Sequence, residues 1–419
     1  MKKNTMRKMV SVNQNTVILA IDIGKTVHYG YLRGSNNQDI KPFPFHNSIK
    51  GFEKLWEEVL IFRQKQNLEY IVVGFESTGP YAEPLLHFLS KKPVKLVQVN
   101  PMHVKRLKEL TGNSPNKTDM KDPRAIADII SLGHALTVIM PEGPAAELRR
   151  LTHARERAIK QRTSMSNQLQ HLLSIVFPEF LQVMKNVATK SSLYLLKHYP
   201  SQQDIIMLGR QPLTNLLYKI SRGKIGKARV SDLYEAAKRS IGVCEGNKSI
   251  LMEIQHLVDN MENQTKFIDY IEKRMSEYLH EMPYSSNILS INGIGAATAA
   301  GLVGEIGDFY KFTTISEIMK LAGLDLYEVS SGQHKGQRHI SKRGRPLLRK
   351  LLFFTAIKTV RSHGIMHQKY SEMLNKGTPK VNALVAIARR LLRIIFALVR
   401  KDAFYNKDYM QKQRIELAA

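Results

Sequence analysis

Two short apolar runs that each end on a carboxylate constrain this chain more than any other feature. Thr16 to Ile23 reads TVILAIDI, and Tyr70 to Glu76 reads YIVVGFE. Both are β-rich and are expected to form strands. Val27 to Leu32 alternates in polarity and is expected to pair with the first run as its hairpin partner. Val94 to Val99 reads as a further strand. Ile49 to Gln64 has helical spacing through Phe52, Leu55, Trp56, Val59 and Leu60. Strands alternating with helices predict a layered α/β unit, placed at residues 15–140 behind an N-terminal extension at 1–14.

The carboxylates are candidate chemistry. Asp22 ends the first strand beside a glycine turn, in AIDIGKT. That is a common position for a metal ligand or a phosphate-proximal acid. Actin-like ATPases and ribonuclease-H-like nucleases both use such an opening. The ATPase reading needs a second phosphate loop and a Gly-rich adenosine loop, and neither is found. A plain turn aspartate is the alternative. Glu76 follows a buried run, where an unpaired carboxylate is costly and a cation would offset the cost. A helix N-terminal acid before Pro80 is the other reading. Asp119 and Asp122 in NKTDMKDPRA have i,i+3 spacing, on one face of a helix's first turn. Pro123 suits an early helix position, and either aspartate could be an ordinary N-cap. Adjacent carboxylates repel unless a cation lies between them. Four acids in one α/β unit form a hard-oxygen set suited to magnesium or manganese. Two such ions about 3.5–4 Å apart can clamp both oxygens of a phosphodiester displacement.

Beyond residue 140 the pattern turns helical. Leu148, Leu151, Arg155, Ala158, Arg162, Met165, Leu169, Leu172 and Val176 follow three-four spacing, as do Ile254, Leu257, Met261, Gln264, Ile268, Ile271 and Met275. They predict two long amphipathic helices, an antiparallel pair or a dimer seam, although Arg155, Arg162 and Gln264 weaken a pure coiled-coil reading. Residues 145–285 are therefore assigned to a helical coiled-coil linker. Within it, residues 196–248 look like a small helical insertion broken by Gly223 and Gly226.

Residues 286–405 form a mainly helical C-terminal unit, followed by a polar tail at 406–419. Asn292-Gly293-Ile294-Gly295 between short apolar helices looks like a helix-hairpin-helix. Its glycines would admit backbone N–H groups to a phosphate, with tight helix packing as the alternative. No acid follows Glu328 through Lys350. Lys335, Arg338, Lys342, Arg343, Arg345 and Arg349 make a glycine-interleaved basic run suited to phosphates. A serine embedded there could attack phosphorus, or be only a turn residue. His363 and His367 are four apart without a third zinc-ligand pattern.

Charge points to the partner. The chain of 419 residues has 63 Lys+Arg against 36 Asp+Glu, a formal net charge of +27. Such an excess suits a polyanion, with nucleic acid first. The single cysteine, Cys244, excludes a disulfide framework and a Cys-based zinc site. No signal-peptide core follows the N-terminus, and Arg389, Arg390 and Arg393 interrupt the most apolar late stretch. A cytoplasmic protein is expected.

Taken in order, AIDIGK, FESTGPY, NKTDMKD, INGIGAATAAGLVGEIGD, the SSG…K…ISKRG run and ALVAIARRLLRIIFAL resemble the insertion-sequence 110 family of transposases. These are DEDD-type recombinases related to invertase Piv. The likeness spans roughly residues 15 to 400. It implies a RuvC/ribonuclease-H-like N-terminal domain, a coiled-coil linker and a C-terminal transposase domain. It also implies magnesium held by Asp22, Glu76, Asp119 and Asp122. A serine before a glycine then acts as nucleophile through a transient phosphoserine link to DNA, which matches Ser331-Gly332. Ser330 is adjacent, and Ser341 is a lesser alternative. Pro123 stands where relatives often carry Ala.

The family further implies a structured bridge RNA that pairs with donor and target DNA. It also implies a dimer assembling into a tetramer, with the acids of one subunit meeting the serine of another, in the nucleoid of a bacterium or archaeon. The expected function is therefore RNA-guided DNA transposition by strand cleavage and exchange. Two rivals differ in chemistry: a metal-only RuvC-like junction nuclease, and a non-catalytic nucleic-acid-binding protein.

Overall fold

The computed structural model describes residues 12–34, 38–76, 79–111, 122–328, 336 and 338–406. The chain divides into two compact units, Met1–Ile139 and Met140–Ala419.

The first unit is built on a six-stranded sheet. β1 (Thr16–Asp22), β2 (Val27–Arg33) and β3 (Asp39–His46) form an antiparallel meander. α1 (Ile49–Lys65) then leads to β4 (Tyr70–Glu76), which lies parallel to β1. α2 (Glu83–Ser90) leads to β5 (Lys95–Val99), parallel to β4. α3 (Pro101–Thr111), α4 (Asp122–Ser131) and the short β6 (Leu136–Thr137) complete the unit. The strand order is β3-β2-β1-β4-β5-β6. The expected strands and hairpin are present within a residue or so at each end.

Successive strand residues face opposite sides of a sheet, and this chain fills both sides. Ile18, Ala20, Tyr31, Val72, Val97 and Val99 pack against Ala125, Ile126, Ile129 and Ile130 of α4. On the other side His28 of β2 stacks on Phe52 of α1, which in turn meets Phe88 of α2. α1 buries Phe52, Leu55, Val59 and Phe62. The sequence spacing expects Trp56 and Leu60 on that face. Instead the core stripe is 52-55-59-62: Leu60 is exposed, and Trp56 is half-buried at the stripe's edge with the Lys92 ammonium over its ring at 5.6 Å.

The second unit is almost wholly helical. α5 (Gly143–Val176) is followed by α6 (Pro178–Val183), α7 (Lys190–His198), α8 (Gln202–Leu208), α9 (Arg210–Ser221) and α10 (Lys227–Lys238). α11 (Asn247–His280) then returns along α5. The antiparallel sense follows from their pairs. Arg155 meets Glu272 at 2.6 Å, Arg162 approaches Thr265 at 3.5 Å, and Leu169 and Leu173 share a core with Ile254 and Val258. Two of the three polar seam residues therefore have partners across the seam, while the buried Gln264 Oε1 has none among the described residues. The small helices α6 to α10 add their own core, with Phe177, Phe180, Leu195, Leu213, Leu217 and Leu233 buried. Lys197 ties them to α11 through Asp259 at 2.7 Å and Glu262 at 2.8 Å. Those two carboxylates hold the ammonium above its ordinary pKa.

The chain continues through α12 (Ser285–Leu289), α13 (Ala296–Ile306) and α14 (Ile315–Ala322). The two-stranded ribbon β7 (Leu326–Glu328) and β8 (Arg338–Ile340) follows, then α15 (Pro346–Thr359), α16 (His367–Asn375) and α17 (Lys380–Lys401). α17 buries Ile387, Leu391, Leu392, Ile395 and Val399 and exposes Arg393 and Arg400. No described helix is long and apolar enough to cross a membrane.

Gly304 lets α13 approach α5 closely. A Cβ there would lie 2.6 Å from the Arg149 backbone nitrogen and 2.8 Å from the Leu148 carbonyl oxygen. Backbone cannot yield as a side-chain tip can. Gly304→Ala is expected to cost about 1–3 kcal/mol, the usual range for overpacking. The shift in the urea midpoint of the full chain measures it, and an unchanged midpoint would mean that the two helices separate freely.

Candidate active site

β1 and β4 run parallel in matched register, Ile18 with Val72, Ala20 with Gly74 and Ile21 with Phe75. Asp22 and Glu76 are the next residues outward on these neighbouring strands. Adjacent strands lie about 4.8 Å apart, so the two carboxylates leave the sheet side by side. Both are half-buried. They continue the rows Ile18-Ala20-Asp22 and Val72-Gly74-Glu76, the sheet face that α4 covers. On the flanks Tyr29 pairs with Asp22, and Val99 pairs with Glu76.

Local sequence explains why these acids are held. Val17 to Ile21 and Ile71 to Val73 are nearly inaccessible to solvent, so the strands stay dry until their carboxyl ends. Gly24 then turns the chain. A Cβ on it would lie 2.0 Å from the Val27 carbonyl oxygen, and its N–H donates to His28 Nδ1 at 3.1 Å. Burial holds that imidazole below its ordinary pKa.

α4 begins at Asp122. Near its other end Asp128 accepts from Arg33 Nη1 at 2.7 Å, and Ser131 Oγ lies 3.4 Å from the same nitrogen. Arg33 stands opposite Ile18, four residues down β1 from Asp22. Ile130 of the same helix packs against Gly74, two residues before Glu76. Asp119 and the Asp122 side chain lie outside the described residues. Among the described residues no group of three or more His, Cys, Asp or Glu gathers as a metal cluster. The chemistry of the placed pair, two hard-oxygen donors at adjoining strand ends, fits a magnesium-type ion.

In the second unit the basic run begins on the β7–β8 ribbon, where Glu328 is in register with Arg338 and their side chains meet at 2.8 Å. Ser330, Ser331 and Lys335, in the connection between the strands, lie outside the described residues. Ser341 Oγ donates to Asp325 Oδ1 at 2.6 Å, and its N–H donates to the Asp325 carbonyl at 2.9 Å. This serine is a fastening of the ribbon base. Lys342, in the left-handed region at φ 53°, and Arg343 are exposed. Arg349 Nη1 donates to the carbonyls of Ala322 at 3.0 Å and Lys342 at 3.4 Å. Arg345 donates to the Glu305 carbonyl. Burial and the nearby Arg149 push the Arg345 guanidinium down to about 10. Arg345 and Arg349 thus frame the run, whereas Lys342 and Arg343 present charge to solvent.

Gly293, at φ 102°, ends the turn after α12, and a Cβ on it would lie 3.0 Å from Thr359 Cγ2. Gly295 precedes α13 as an uncapped, extended residue with nothing within 4 Å of a built Cβ. Packing accounts for the first glycine, and the second leaves the α13 N-terminus open. His367 Nδ1 lies 2.9 Å from the Val360 carbonyl oxygen, on its own loop.

A buried charge cluster escapes the sequence reading. Glu305 is 1% exposed on α13, and its Oε1 lies 2.8 Å from His153 Nε2 of α5. Burial alone would raise the Glu305 pKa. The His153 hydrogen bond and the charges of Arg149 and Arg345 outweigh that and hold it below the ordinary value. The signal was present as a lone acid inside the apolar stretch GLVGEI, where an unpaired carboxylate is seldom tolerated.

Comparison with known proteins gives these sites a context. A family model described as a transposase, of the DEDD type of IS110, matches residues 19–178. A second, for the IS116/IS110/IS902 transposase family, matches residues 285–371. An uncharacterized 43.6 kDa protein of insertion element IS110 from Streptomyces coelicolor is 22% identical, over 96% of this chain and 98% of its own length. The transposase for insertion sequence element IS1111A from Coxiella burnetii is 23% identical, over 74% of this chain and 72% of its own. The pilin gene-inverting protein of Moraxella lacunata is 30% identical, over 36% of this chain and 48% of its own. The sheet with paired strand-end acids and the basic helical unit are parts of a transposase. The chain belongs to the IS110 family of insertion-sequence transposases.

Glu305→Gln removes the carboxylate of that cluster while keeping its shape. A cost of about 3 kcal/mol is expected, the lower end for breaking a buried ionic group. Because the folded pKa is depressed, the carboxylate's contribution is full above its ordinary 4.5 and is lost as pH falls below that. Urea melts at neutral and acid pH should show the wild-type advantage at neutral pH shrinking on acidification. A pH-independent difference would place the Glu305 contribution elsewhere.

Proposed function

We propose that this transposase cuts and rejoins DNA through a serine nucleophile, with a divalent ion held by Asp22, Glu76, Asp119 and Asp122 of a ribonuclease-H-like domain. The observation that carries the reading is the side-by-side exit of Asp22 and Glu76 from neighbouring parallel strands, on the face that α4 crosses from Asp122. A magnesium ion there supplies Lewis-acid polarisation of the scissile phosphate and neutralises charge. Asp22, Glu76, Asp119 and Asp122 would hold that ion with their carboxylate oxygens. Ser331 Oγ, embedded in a cationic run, attacks phosphorus. A serine–phosphate bond forms, the bridging P–O bond breaks, and the serine proton passes to the departing DNA hydroxyl. Attack by a hydroxyl of another strand end reverses the exchange and frees the serine. Lys335, Arg338, Lys342 and Arg343 stabilise the developing phosphate charge, while Arg345 and Arg349 hold the frame. Gly295 opens the α13 N-terminus to a backbone phosphate.

The same reading extends to partners. Donor and target duplexes are bound mainly through their phosphates, and a structured guide RNA supplies the sequence information. The α5–α11 pair is the linker between catalytic parts of subunits assembled as dimers or tetramers. Excess positive charge suits two polyanionic partners, and binding is expected to weaken steeply with salt.

The decisive measurement is a denaturing gel of the reaction with labelled element-end DNA and magnesium. A covalent protein–DNA adduct is expected, lost in Ser331→Ala and retained in Ser330→Ala. Asp22→Asn and Glu76→Gln should each lower strand exchange by about a hundredfold or more. Hydrolytic nicking by Ser331→Ala without an adduct would replace the serine mechanism with the metal-only one. Adduct formation in Ser331→Ala but not in Ser330→Ala would move the nucleophile by one residue.

A further inference from the structure

Residues 179–284 lie between the two family-matched stretches, so no role comes to α7–α10 from the family. Their surface is strongly asymmetric in charge. From residue 205 to 231 there are six Lys and Arg and no Asp or Glu. Two of the six are engaged locally. Arg229 donates to the Val183 carbonyl at 2.9 and 2.7 Å, and Arg210 donates to Ser231. The other four, Lys219, Arg222, Lys224 and Lys227, are exposed and form no ion pair with a described residue. They fall within nine residues, across the turn that joins α9 to α10.

The turn is rigid. Gly223 at φ 77° donates its N–H to the Tyr218 carbonyl at 2.9 Å, and Ile225 N–H donates to Ser221 Oγ at 3.0 Å. Ile225 is 8% exposed in the core shared with Phe180 and Leu217. That anchor turns its neighbours, Lys224 and Gly226, outward. Tyr218 is 63% exposed, and a Cβ on Gly223 would lie 3.4 Å from its ring. Its exposed ring and hydroxyl therefore lie beside Gly223, within the turn that carries the four cations. No acid of this stretch counters them, and Asp232, the next acid in sequence, sits more than a helical turn along α10.

We propose that the α9–α10 turn is a docking surface for the phosphate backbone of duplex DNA. Charge complementarity carries the choice of a polyanion. The choice of duplex DNA rests on the chain being a transposase, which acts on DNA; a tyrosine hydroxyl and four cations suit its phosphate oxygens, and the nearby amides Gln211 and Asn215 hydrogen-bond each other at 3.3 Å. Such contacts position a duplex without reading its sequence. The inference rests on the chain acting on DNA, not on the serine or metal chemistry.

The test uses the full chain and a short duplex of arbitrary sequence, read by fluorescence anisotropy across a KCl series. Lys219→Ala/Arg222→Ala/Lys224→Ala/Lys227→Ala should flatten the slope of log affinity against log salt by about 3–4, close to 0.9 for each lost phosphate contact. Lys224→Ala/Lys227→Ala should flatten it by about 2, and Lys224→Arg/Lys227→Arg should leave it unchanged. Because these heads form no ion pair, the thermal melt should not move, and the double variant serves if the quadruple one melts early. An unchanged slope in the double and quadruple variants would overturn the proposal. So would a loss confined to a folded RNA hairpin with duplex binding intact, which would assign the surface to RNA. Adduct formation by the wild-type chain is read separately, so failure of the cleavage chemistry and failure of this surface are distinguishable.

Discussion

Matched parallel pairing of β1 with β4 is the constraint on which the N-terminal unit depends. Parallel strands must be joined by a crossover, and here β2, β3 and α1 fill that connection. The crossover lets two segments about fifty residues apart in sequence end at the same level. Had the register slipped by one residue, Asp22 and Glu76 would lie on opposite faces. Buried apolar side chains on both sheet faces fix that register, so the packing of the core and the spacing of the acids are one property.

The helical unit is organised by a different kind of constraint. Gly304 brings two helix backbones together, and the adjoining Glu305 places a negative charge where Arg149, His153 and Arg345 converge. The contact joins the start of α5, the end of α13 and the residue before α15 through ionic and hydrogen-bonded groups in a poorly solvated place. Removing Glu305 takes away the negative charge on which the three basic groups converge. Part of the basic run is thereby tied to the framework, and the ribbon base is fixed a second time by Ser341 and Asp325.

Much of this was legible in the sequence. The β-rich runs gave the central strands, three-four spacing gave α5 and α11, and the acids at strand ends gave the placed pair. Periodicity was less reliable at Leu60, which is exposed, and at Trp56, which reaches only the edge of the core, because Phe62 extends a neighbouring stripe. The division of labour among the arginines was not legible. Arg345 and Lys342 look alike in sequence, and only the carbonyls and Glu305 around Arg345 distinguish a frame residue from an exposed one. Glu305 itself was visible as an acid in an apolar helix, but its partners lie on α5, about 150 residues away. Spacing within a segment carries no information about such a meeting.

The antiparallel pair of α5 and α11 also sets a distance. His153 meets α13 near one end of α5, while Leu172 lies in the core of α6–α10 near the other. Nineteen residues at about 1.5 Å each give roughly 29 Å. The pair thus keeps the α13 contact and the α6–α10 core apart within the second unit, so neither end can slide along α5 without disturbing the seam with α11.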